Sequence, residues 1–367
     1  MRKKYKLNTI YFYLTNGCNL NCRHCWTAPT CKPDAEKNKF LDVGLFKDII
    51  EQAIPMGLSA VKFSGGEPLL HPGIEKMIEF IQQKNIFLII ETNGSLCSPA
   101  LAKQISRCKG VGLAVSLDGV KAETHDNIRM VSGCFNKAIQ GIKNLVDAGV
   151  YPQIIMSVMK ENKDEIWPMI ELSESLNAQS VKFNFVAPVS RGESLANQGL
   201  LLGIKEILFL HKWIDNDLGG MAKISVSTNL PLAFKSLGRI FDPAGIGCSR
   251  CDVFELLGVL ADGSFALCGI GENLSQFVFG NANQQRVDEV WNNAPFLLQL
   301  REDLPLRLKG ICSMCVLKNI CLGYCVAMNY YVKREWLAPC WICEEAYRQG
   351  LFPDSRIINP TRFFKPN

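Results

Sequence analysis

Three cysteines near the start of the chain have a spacing that suits metal binding. Cys18, Cys22 and Cys25 follow a C-x3-C-x2-C pattern, directly after an apolar run at residues 10–14. An iron–sulfur cluster held by only three thiolates keeps one of its irons open. An open iron serves chemistry only when a small chelating molecule binds it. A zinc knuckle, or three unrelated cysteines, are the alternative interpretations.

A glycine turn with a carboxylate follows the second predicted strand. The stretch reads Ser64-Gly65-Gly66-Glu67-Pro68. Two glycines allow the backbone to approach a ligand closely, and their amide and carbonyl groups are then within reach of it. Taken alone, the stretch also suits an ordinary tight turn before a helix.

Polar residues also follow the third and fourth predicted strands. Thr92 and Asn93 come after the third strand, Ser116 and Asp118 come at the end of the fourth, and Arg129 lies in the segment beyond it. An arginine can bind a carboxylate through two parallel hydrogen bonds. The Asn-Gly and Asp-Gly pairs in these stretches are equally typical of turns.

The elements that must position these residues alternate between strands and helices. Amphipathic helical patterns, one of them with Asp42 as its N-cap, separate short apolar runs that are typical of parallel strands covered on both faces. The predicted strands are residues 9–14, 60–63, 87–91, 112–117, 152–158 and 180–185. Six such repeats are too few for a closed eight-stranded barrel, so we expect an open partial barrel. Its site should lie at the carboxyl ends of the strands.

A second set of cysteines lies beyond a less regular segment, which contains a predicted helix at residues 204–218. An Asp262-Gly263 pair between two apolar runs predicts a β-hairpin that brings flanking cysteines together. Two zinc ribbons would also explain the Cys-x2-Cys pairs. The cysteines are Cys248, Cys251, Cys268, Cys312, Cys315, Cys321, Cys325, Cys340 and Cys343.

Length and composition exclude several classes of protein. The 367 residues are 48% hydrophobic and 20% charged, which predicts one large globular domain and a smaller one. The formal net charge of +5 is slight and the Lys and Arg residues are dispersed, so we expect no nucleic-acid partner. Neither a run of about 18 apolar residues nor a signal peptide is visible. We therefore expect a cytoplasmic protein, without a membrane partner, whose cysteines bind metal.

Together these motifs resemble the radical S-adenosylmethionine (SAM) superfamily, with His24 where that family usually has an aromatic ring. The later cysteines resemble its SPASM extension, in order of spacing. The resemblance implies an α/β fold: a partial (β/α)6 radical SAM barrel followed by a small cysteine-rich SPASM domain that binds auxiliary iron–sulfur clusters. We expect the barrel at residues 1–186, a connector with a helix at 187–244 and the SPASM domain at 245–367.

The resemblance also implies three 4Fe–4S clusters and bound SAM. Cys18, Cys22 and Cys25 would hold the cluster whose open iron chelates the amine and carboxylate of SAM. One auxiliary cluster would take Cys248, Cys251, Cys268 and Cys325. The other would take Cys312, Cys315, Cys321 and either Cys340 or Cys343; Pro339 favours Cys340, because it extends the local backbone. The SAM contacts implied are Ser64, Gly65, Gly66, Glu67, Pro68, Thr92, Asn93, Ser116, Asp118 and Arg129.

The function implied is that of a peptide maturase. SAM would be cleaved to a 5′-deoxyadenosyl radical that abstracts hydrogen from a ribosomally made precursor peptide, leading to a crosslink, an oxidative decarboxylation or a backbone excision. Gly269 stands where sulfatase-maturing relatives have an aspartate base, which argues against that reaction. Alternatives are an enzyme acting on a small molecule such as a haem precursor, or an iron–sulfur electron carrier without SAM chemistry.

Two further partners follow from this interpretation. The predicted barrel begins almost at once, without a leader-binding domain before it, so we expect another surface or a separate leader-recognition protein to bind the precursor. A reductant such as flavodoxin or ferredoxin would supply the electron that cleaves SAM.

The first testable prediction concerns metal content. Anaerobically reconstituted protein should hold about three 4Fe–4S clusters per chain, because its cysteine patterns supply one three-thiolate and two four-thiolate sites. Replacing Cys18, Cys22 and Cys25 together by alanine should remove one cluster and all SAM cleavage, as measured by iron content and 5′-deoxyadenosine release. Cys108→Ala, outside every pattern, is the control. SAM cleavage that persists in the triple variant contradicts the assignment.

Overall fold

One large twisted sheet organises the chain. The computed structural model describes residues 5–31, 37–241 and 251–358. The strands are β1 (Thr9–Tyr13), β2 (Gly17–Cys18), β3 (Thr30–Cys31), β4 (Ala60–Ser64), β5 (Phe87–Thr92), β6 (Val111–Ser116), β7 (Gln153–Val158), β8 (Ser180–Phe185), β9 (Ser225–Thr228), β10 (Leu256–Val259), β11 (Ser264–Ala266) and β12 (Val278–Asn281).

Helices connect the strands and cover the outer face of the sheet. A π-helical segment, Trp213–Leu218, extends α8. The helices are α1 (Val43–Ala53), α2 (Ile74–Lys84), α3 (Pro99–Ile105), α4 (Ala122–Arg129), α5 (Cys134–Asp147), α6 (Ile166–Ser175), α7 (Arg191–Asn197), α8 (Ile204–Lys212), α9 (Gly219–Met221), α10 (Leu237–Ile240), α11 (Val287–Asn293), α12 (Pro295–Asp303), α13 (Gly310–Met314), α14 (Lys318–Cys321), α15 (Val326–Lys333) and α16 (Trp341–Arg348).

The strand order is β12-β11-β10-β1-β4-β5-β6-β7-β8-β9, and β2 pairs with β3 in a separate two-stranded ladder. Neighbouring strands from β10 to β9 are parallel, whereas β11 and β12 run antiparallel to their neighbours. The carboxyl ends of the parallel strands therefore meet at one edge, where ligand sites of α/β sheets lie.

Side-chain alternation separates a packed face from a barrel interior. On β4, Val61 and Phe63 are fully buried against the helices, while Lys62 between them faces the interior. Phe46 of α1 packs edge-on against Phe63 and Phe12, with ring centroids 5.7 and 4.8 Å apart. The outer face of the sheet is thus sealed, and the interior is left for polar groups.

The six predicted strand–helix repeats are confirmed. Asp42 caps α1 as expected, since its side chain accepts a 2.8 Å hydrogen bond from the Leu45 amide. The predicted hairpin is confirmed as β10 and β11, with Gly263 at a φ of 82° in its turn, a conformation that glycine adopts without strain.

Four strands from outside the predicted barrel join the sheet, and two of them pair directly with barrel strands. β9, in the predicted connector, pairs with β8, and β10, in the predicted SPASM domain, pairs with β1. The division at residues 186 and 244 stays a prediction, and the sheet runs across both positions. Among the described helices, none combines the length and apolarity that crossing a membrane requires.

Candidate active site

The cysteine loop begins after β1, and the chain around it holds it in place. Cys18 and Cys22 are buried and pack with Cys25 in one small cluster. The amides of Asn21 and Arg23 donate to the carbonyls of Arg129 and Ile128, 3.1 and 3.0 Å away. The three thiols therefore sit directly against the end of α4.

Arg191, at the start of α7, clamps the same loop from the other side. Its guanidinium donates to Asn21 Oδ1 at 2.6 Å, to the Cys22 carbonyl at 3.2 Å and to the Pro29 carbonyl at 3.1 Å. These hydrogen bonds tie α7, which follows the last predicted barrel strand, to the cysteine loop that follows the first.

The two glycines after β4 let the turn pack against the backbone that leads into the cysteine loop. A Cβ on Gly66 would lie 2.0 Å from the Gly17 carbonyl oxygen, and one on Gly65 would lie 2.5 Å from that of Thr15. The Gly66 amide donates to the Thr15 carbonyl at 2.8 Å, and the Glu67 amide donates to the Gly17 carbonyl at 2.9 Å. Any larger side chain would separate the turn from the cysteines.

Glu67 is buried, and its carboxylate binds protein groups. It accepts hydrogen bonds from Thr92 Oγ1 at 2.6 Å, from the Asn93 amide at 2.8 Å and from the Leu69 amide at 3.1 Å. Burial raises the pKa of Glu67, and these donors oppose that rise. In this structure the residue joins the ends of β4 and β5.

Asp118 forms the electrostatic centre of the site. It is fully buried, and its Oδ2 lies 2.6 Å from Arg129 Nε and 2.7 Å from His24 Nε2, while its Oδ1 accepts from the Ser157 amide at 2.8 Å. Burial alone would raise the pKa of Asp118, but Arg129 and His24 outweigh it and hold that pKa well below its usual range. The carboxylate thus stays ionised and orients both Arg129 and His24.

A cavity of about 210 Å³ lies inside the strand ends and collects most of the residues predicted to contact SAM. Two predicted contacts do not line the cavity. Pro68 begins a buried turn at Pro68–Leu70, and Asp118 is fully buried and bonded to His24 and Arg129. The predicted residues that line the cavity are Cys18, Cys22, Cys25, Ser64, Gly65, Gly66, Glu67, Thr92, Asn93, Ser116 and Arg129.

The chemistry of the thiols fits the implied cluster. Burial raises the pKa of both Cys18 and Cys22, so these thiols ionise only where a cation compensates them. Arg129 Nη1 lies 3.5 Å from Cys22 Sγ and supplies part of that charge. Within the described residues, no three His, Cys, Asp or Glu side chains are grouped as a site for a single metal ion.

Three cysteines of the first predicted auxiliary set lie near one another, beside strands β1 and β10. After burial as the main cause, the charges of Cys325 and Cys268 raise the pKa of Cys251, and the charge of Cys325 raises that of Cys268. Cys248 lies outside the described residues. A Cβ on Gly269 would lie 2.1 Å from the Tyr13 ring, so this ring occupies the space that a larger side chain at position 269 would need.

The second auxiliary set surrounds a small cavity of its own. Cys312, Cys315, Cys321 and Cys343 line it. Cys340 is buried beside them, and its backbone amide donates to Cys312 Sγ at 3.3 Å. Five cysteines therefore converge on one site. The lining of the cavity favours Cys343, whereas the charge of Cys340 raises the pKa of Cys312 and Cys321, after burial as the main cause, which agrees with the sequence-based choice of Cys340.

Sequence reasoning missed several residues that hold the site together. Asn19 joins Asn93 and Ser95 through side-chain hydrogen bonds of 2.9 and 2.8 Å, and the Asn162 side chain donates to the Asp118 carbonyl at 2.8 Å. Asn19 lies between the first two cysteines of the motif, at a position to which the motif assigns no role, and Asn162 stands in no recognisable motif. Asn184 also lines the cavity and lies near the end of β8, so the strand-end pattern that predicts Ser116 applies to it as well.

The fold and this site define a SAM-dependent iron–sulfur enzyme, and the comparisons agree. The family model described as the Radical SAM superfamily matches residues 12–173, and SPASM, an iron–sulfur cluster-binding domain, matches residues 248–316. The chain belongs to the radical SAM superfamily and carries a SPASM domain, and it is a radical SAM enzyme. The predicted fold class is confirmed.

Three known proteins show how broad this similarity is. The S-adenosylmethionine-dependent heme synthase of Methanosarcina barkeri is 30% identical and aligns over 93% of this chain and 97% of its own. The mycofactocin maturase MftC of Mycobacterium ulcerans is 26% identical, over 91% and 87%. SuiB of Streptococcus suis shares the fold, with a TM-score of 0.71 at 16% identity over 93% and 78% of the two chains.

Cluster spectra of two single variants test the last auxiliary ligand. Cys343→Ala should lose one cluster signal, because that residue lines the cavity with three other cysteines. Cys340→Ala should keep the signal, since the cavity lining does not include Cys340 and its backbone amide remains. The reverse pattern, or a full signal in both variants, contradicts this choice.

Acid should weaken the fold through His125. Burial, together with the charge of Arg129, lowers the pKa of this imidazole to about 4, and its Nδ1 accepts a hydrogen bond from the Asp118 amide. An unfolded histidine titrates near 6.5, so stability is present above that pH and falls as the pH drops from about 6.5 towards 4.

His125→Asn keeps a hydrogen-bond acceptor but cannot titrate. Between pH 7 and pH 5 the wild-type free energy of unfolding should therefore fall by about 2 kcal/mol more than that of the variant. Denaturant unfolding at both pH values measures the difference. Equal losses in the two proteins would show that His125 is protonated in the folded state.

Proposed function

We propose that this enzyme modifies a ribosomally made precursor peptide, in a reaction that begins with reductive cleavage of SAM. The observation that carries the proposal is the shape and polarity of the barrel interior. An extended peptide presents N–H and C=O groups along its length, so its binding site needs polar partners in a narrow space.

The cavity inside the strand ends has these properties. Its volume of about 210 Å³ is small beside the roughly 300–1,000 Å³ of typical ligand pockets, and SAM must share it. Beyond the predicted SAM contacts, its walls include the polar side chains of Glu91, Ser157 and Asn184 and apolar ones such as Trp26 and Ile155. The polar side chains can hydrogen-bond the N–H and C=O groups of an extended peptide.

The chain's own residues hold the reacting groups in fixed positions. Cys18, Cys22 and Cys25 would ligate the cluster, which together with SAM supplies hydrogen-atom abstraction when bound. Arg129, oriented by Asp118, is suited to bind the SAM carboxylate through its guanidinium. The buried carboxylates of Asp118 and Glu67 position neighbouring groups, since protein donors already occupy them.

The remaining partners follow from the same proposal. Two auxiliary 4Fe–4S clusters at the SPASM cysteines would exchange an electron with the substrate, and a flavodoxin or ferredoxin would reduce the enzyme. A separate leader-recognition protein would present the peptide. The similarity to the mycofactocin maturase, over 91% of this chain, supports a maturase role.

A haem precursor is the second candidate substrate. The observation that favours it is the 30% identity to a heme synthase, which spans nearly the whole of both chains. The two candidates differ in what the barrel interior must accept, so direct assay of both substrates separates them.

Co-expression with a short precursor peptide encoded beside this chain tests the proposal. Mass spectrometry should show a mass change in the peptide that disappears in the Cys18/Cys22/Cys25→Ala variant. The reconstituted enzyme is assayed in parallel with Fe-coproporphyrin III, a tetrapyrrole that gives its name to another similar protein, the Fe-coproporphyrin III synthase of Methanosarcina barkeri, 29% identical over 90% of this chain. An unchanged peptide together with a modified tetrapyrrole would establish the second candidate instead.

A further inference from the structure

Three charged side chains project into the barrel interior, and one of them, Glu91, also lines the cavity. Lys62 of β4, Glu91 of β5 and Lys182 of β8 each alternate with fully buried residues that face the helices. Burying a charge costs free energy unless the charge is paired. Each of these side chains therefore needs a specific partner.

Lys62 and Glu91 satisfy each other. Lys62 Nζ lies 2.6 Å from Glu91 Oε1 and 4.6 Å from the centroid of the Tyr11 ring. The charge of Cys268, a predicted auxiliary ligand, also raises the pKa of Lys62, although less than Glu91 does. Lys62 is therefore compensated from two sides.

Lys182 has no such partner. Among the described residues, none forms a hydrogen bond or an ion pair with its side chain. Burial lowers the pKa of Lys182; Glu91 opposes this shift, whereas Lys62 and Lys235 add to it. Since Glu91 is already paired with Lys62, the region keeps an excess of positive charge.

A second unsatisfied group lies one interior position further along β8. Asn184 lines the cavity, and its Oδ1 is buried without a hydrogen-bond partner in the described residues. Burying this acceptor without a partner costs free energy, which a hydrogen-bond donor of a ligand would recover. Lys182 and Asn184 thus offer a cation and an acceptor on the same side of one strand.

We propose that Lys182 and Asn184 form the substrate-binding site of the barrel interior: Lys182 pairs with a carboxylate of the substrate and Asn184 accepts a hydrogen bond from an adjacent N–H. This inference rests on the proposed peptide substrate. A carboxylate, on an acidic side chain or at the C-terminus, is the only anion that an unmodified ribosomal peptide carries. The backbone amide next to it supplies the donor for Asn184.

Peptide binding to the reconstituted enzyme in the presence of SAM tests this site. Lys182→Met removes the charge but keeps the length, and should raise the peptide Kd by roughly 30-fold or more, since a desolvated charge pair loses one partner. Lys182→Arg should restore most of the affinity. Lys212→Met, at an exposed position of α8, is the matched control and should bind as the wild type does.

Amide substitution in the peptide identifies the partner. Each Asp, each Glu and the C-terminal carboxylate are changed to amides in turn. One such peptide should bind the wild type weakly and show no further loss with Lys182→Met, which is the result of a double-mutant cycle for a direct pair.

Three results would overturn the inference: normal peptide affinity in Lys182→Met, independent effects in every cycle, or weaker SAM binding in Lys182→Met, which would assign the lysine to the cofactor. Failure of the proposed function looks different. The wild-type enzyme itself would then leave the peptide unmodified and accept Fe-coproporphyrin III, whatever residue stands at position 182.

Discussion

The buried carboxylate of Asp118 is the constraint on which the site depends. It joins His24 of the cysteine loop, Arg129 of α4 and the Ser157 amide of β7. Removing such charges from water costs about as much as their attraction returns, so a buried ion pair adds little net stability. Its effect is positional: with both oxygens occupied, Arg129 and the cysteine loop have one arrangement relative to the strand ends.

Glu67 has the same positional effect at the next strands, because its hydrogen bonds to Thr92 and Asn93 fix the end of β5 to the glycine turn. The glycines in turn allow the turn to touch the backbone beside Cys18. Several residues that the motifs predict as ligand contacts therefore mainly hold neighbouring loops in position. The cavity that they leave free is small, and few groups of the barrel interior remain for a substrate: Asn184 in the cavity wall and Lys182 one interior position before it on β8.

Local patterns made much of this fold predictable. Strand and helix repeats, the Asp42 cap and the Asp262-Gly263 hairpin each depend on residues near in sequence. The pairing of β9 with β8 and of β10 with β1 depends on contacts between distant segments, and nothing local indicates it. The charged interior row was unpredictable for the same reason, because Lys62, Glu91 and Lys182 belong to three strands and meet only in the assembled barrel.

The added strands bring the second set of cysteines to the barrel. β10 pairs with β1, which places the hairpin residues Cys268 and Gly269 against Tyr13 and near Lys62. The cysteine loop leaves β1 at this same carboxyl end, where Tyr13 lies. Both predicted cluster regions therefore approach the barrel interior beside the end of β1. A substrate anchored at Lys182 would lie near the Lys62–Glu91 pair, whose charges act on Lys182, and the charge of Cys268 acts on Lys62 in turn.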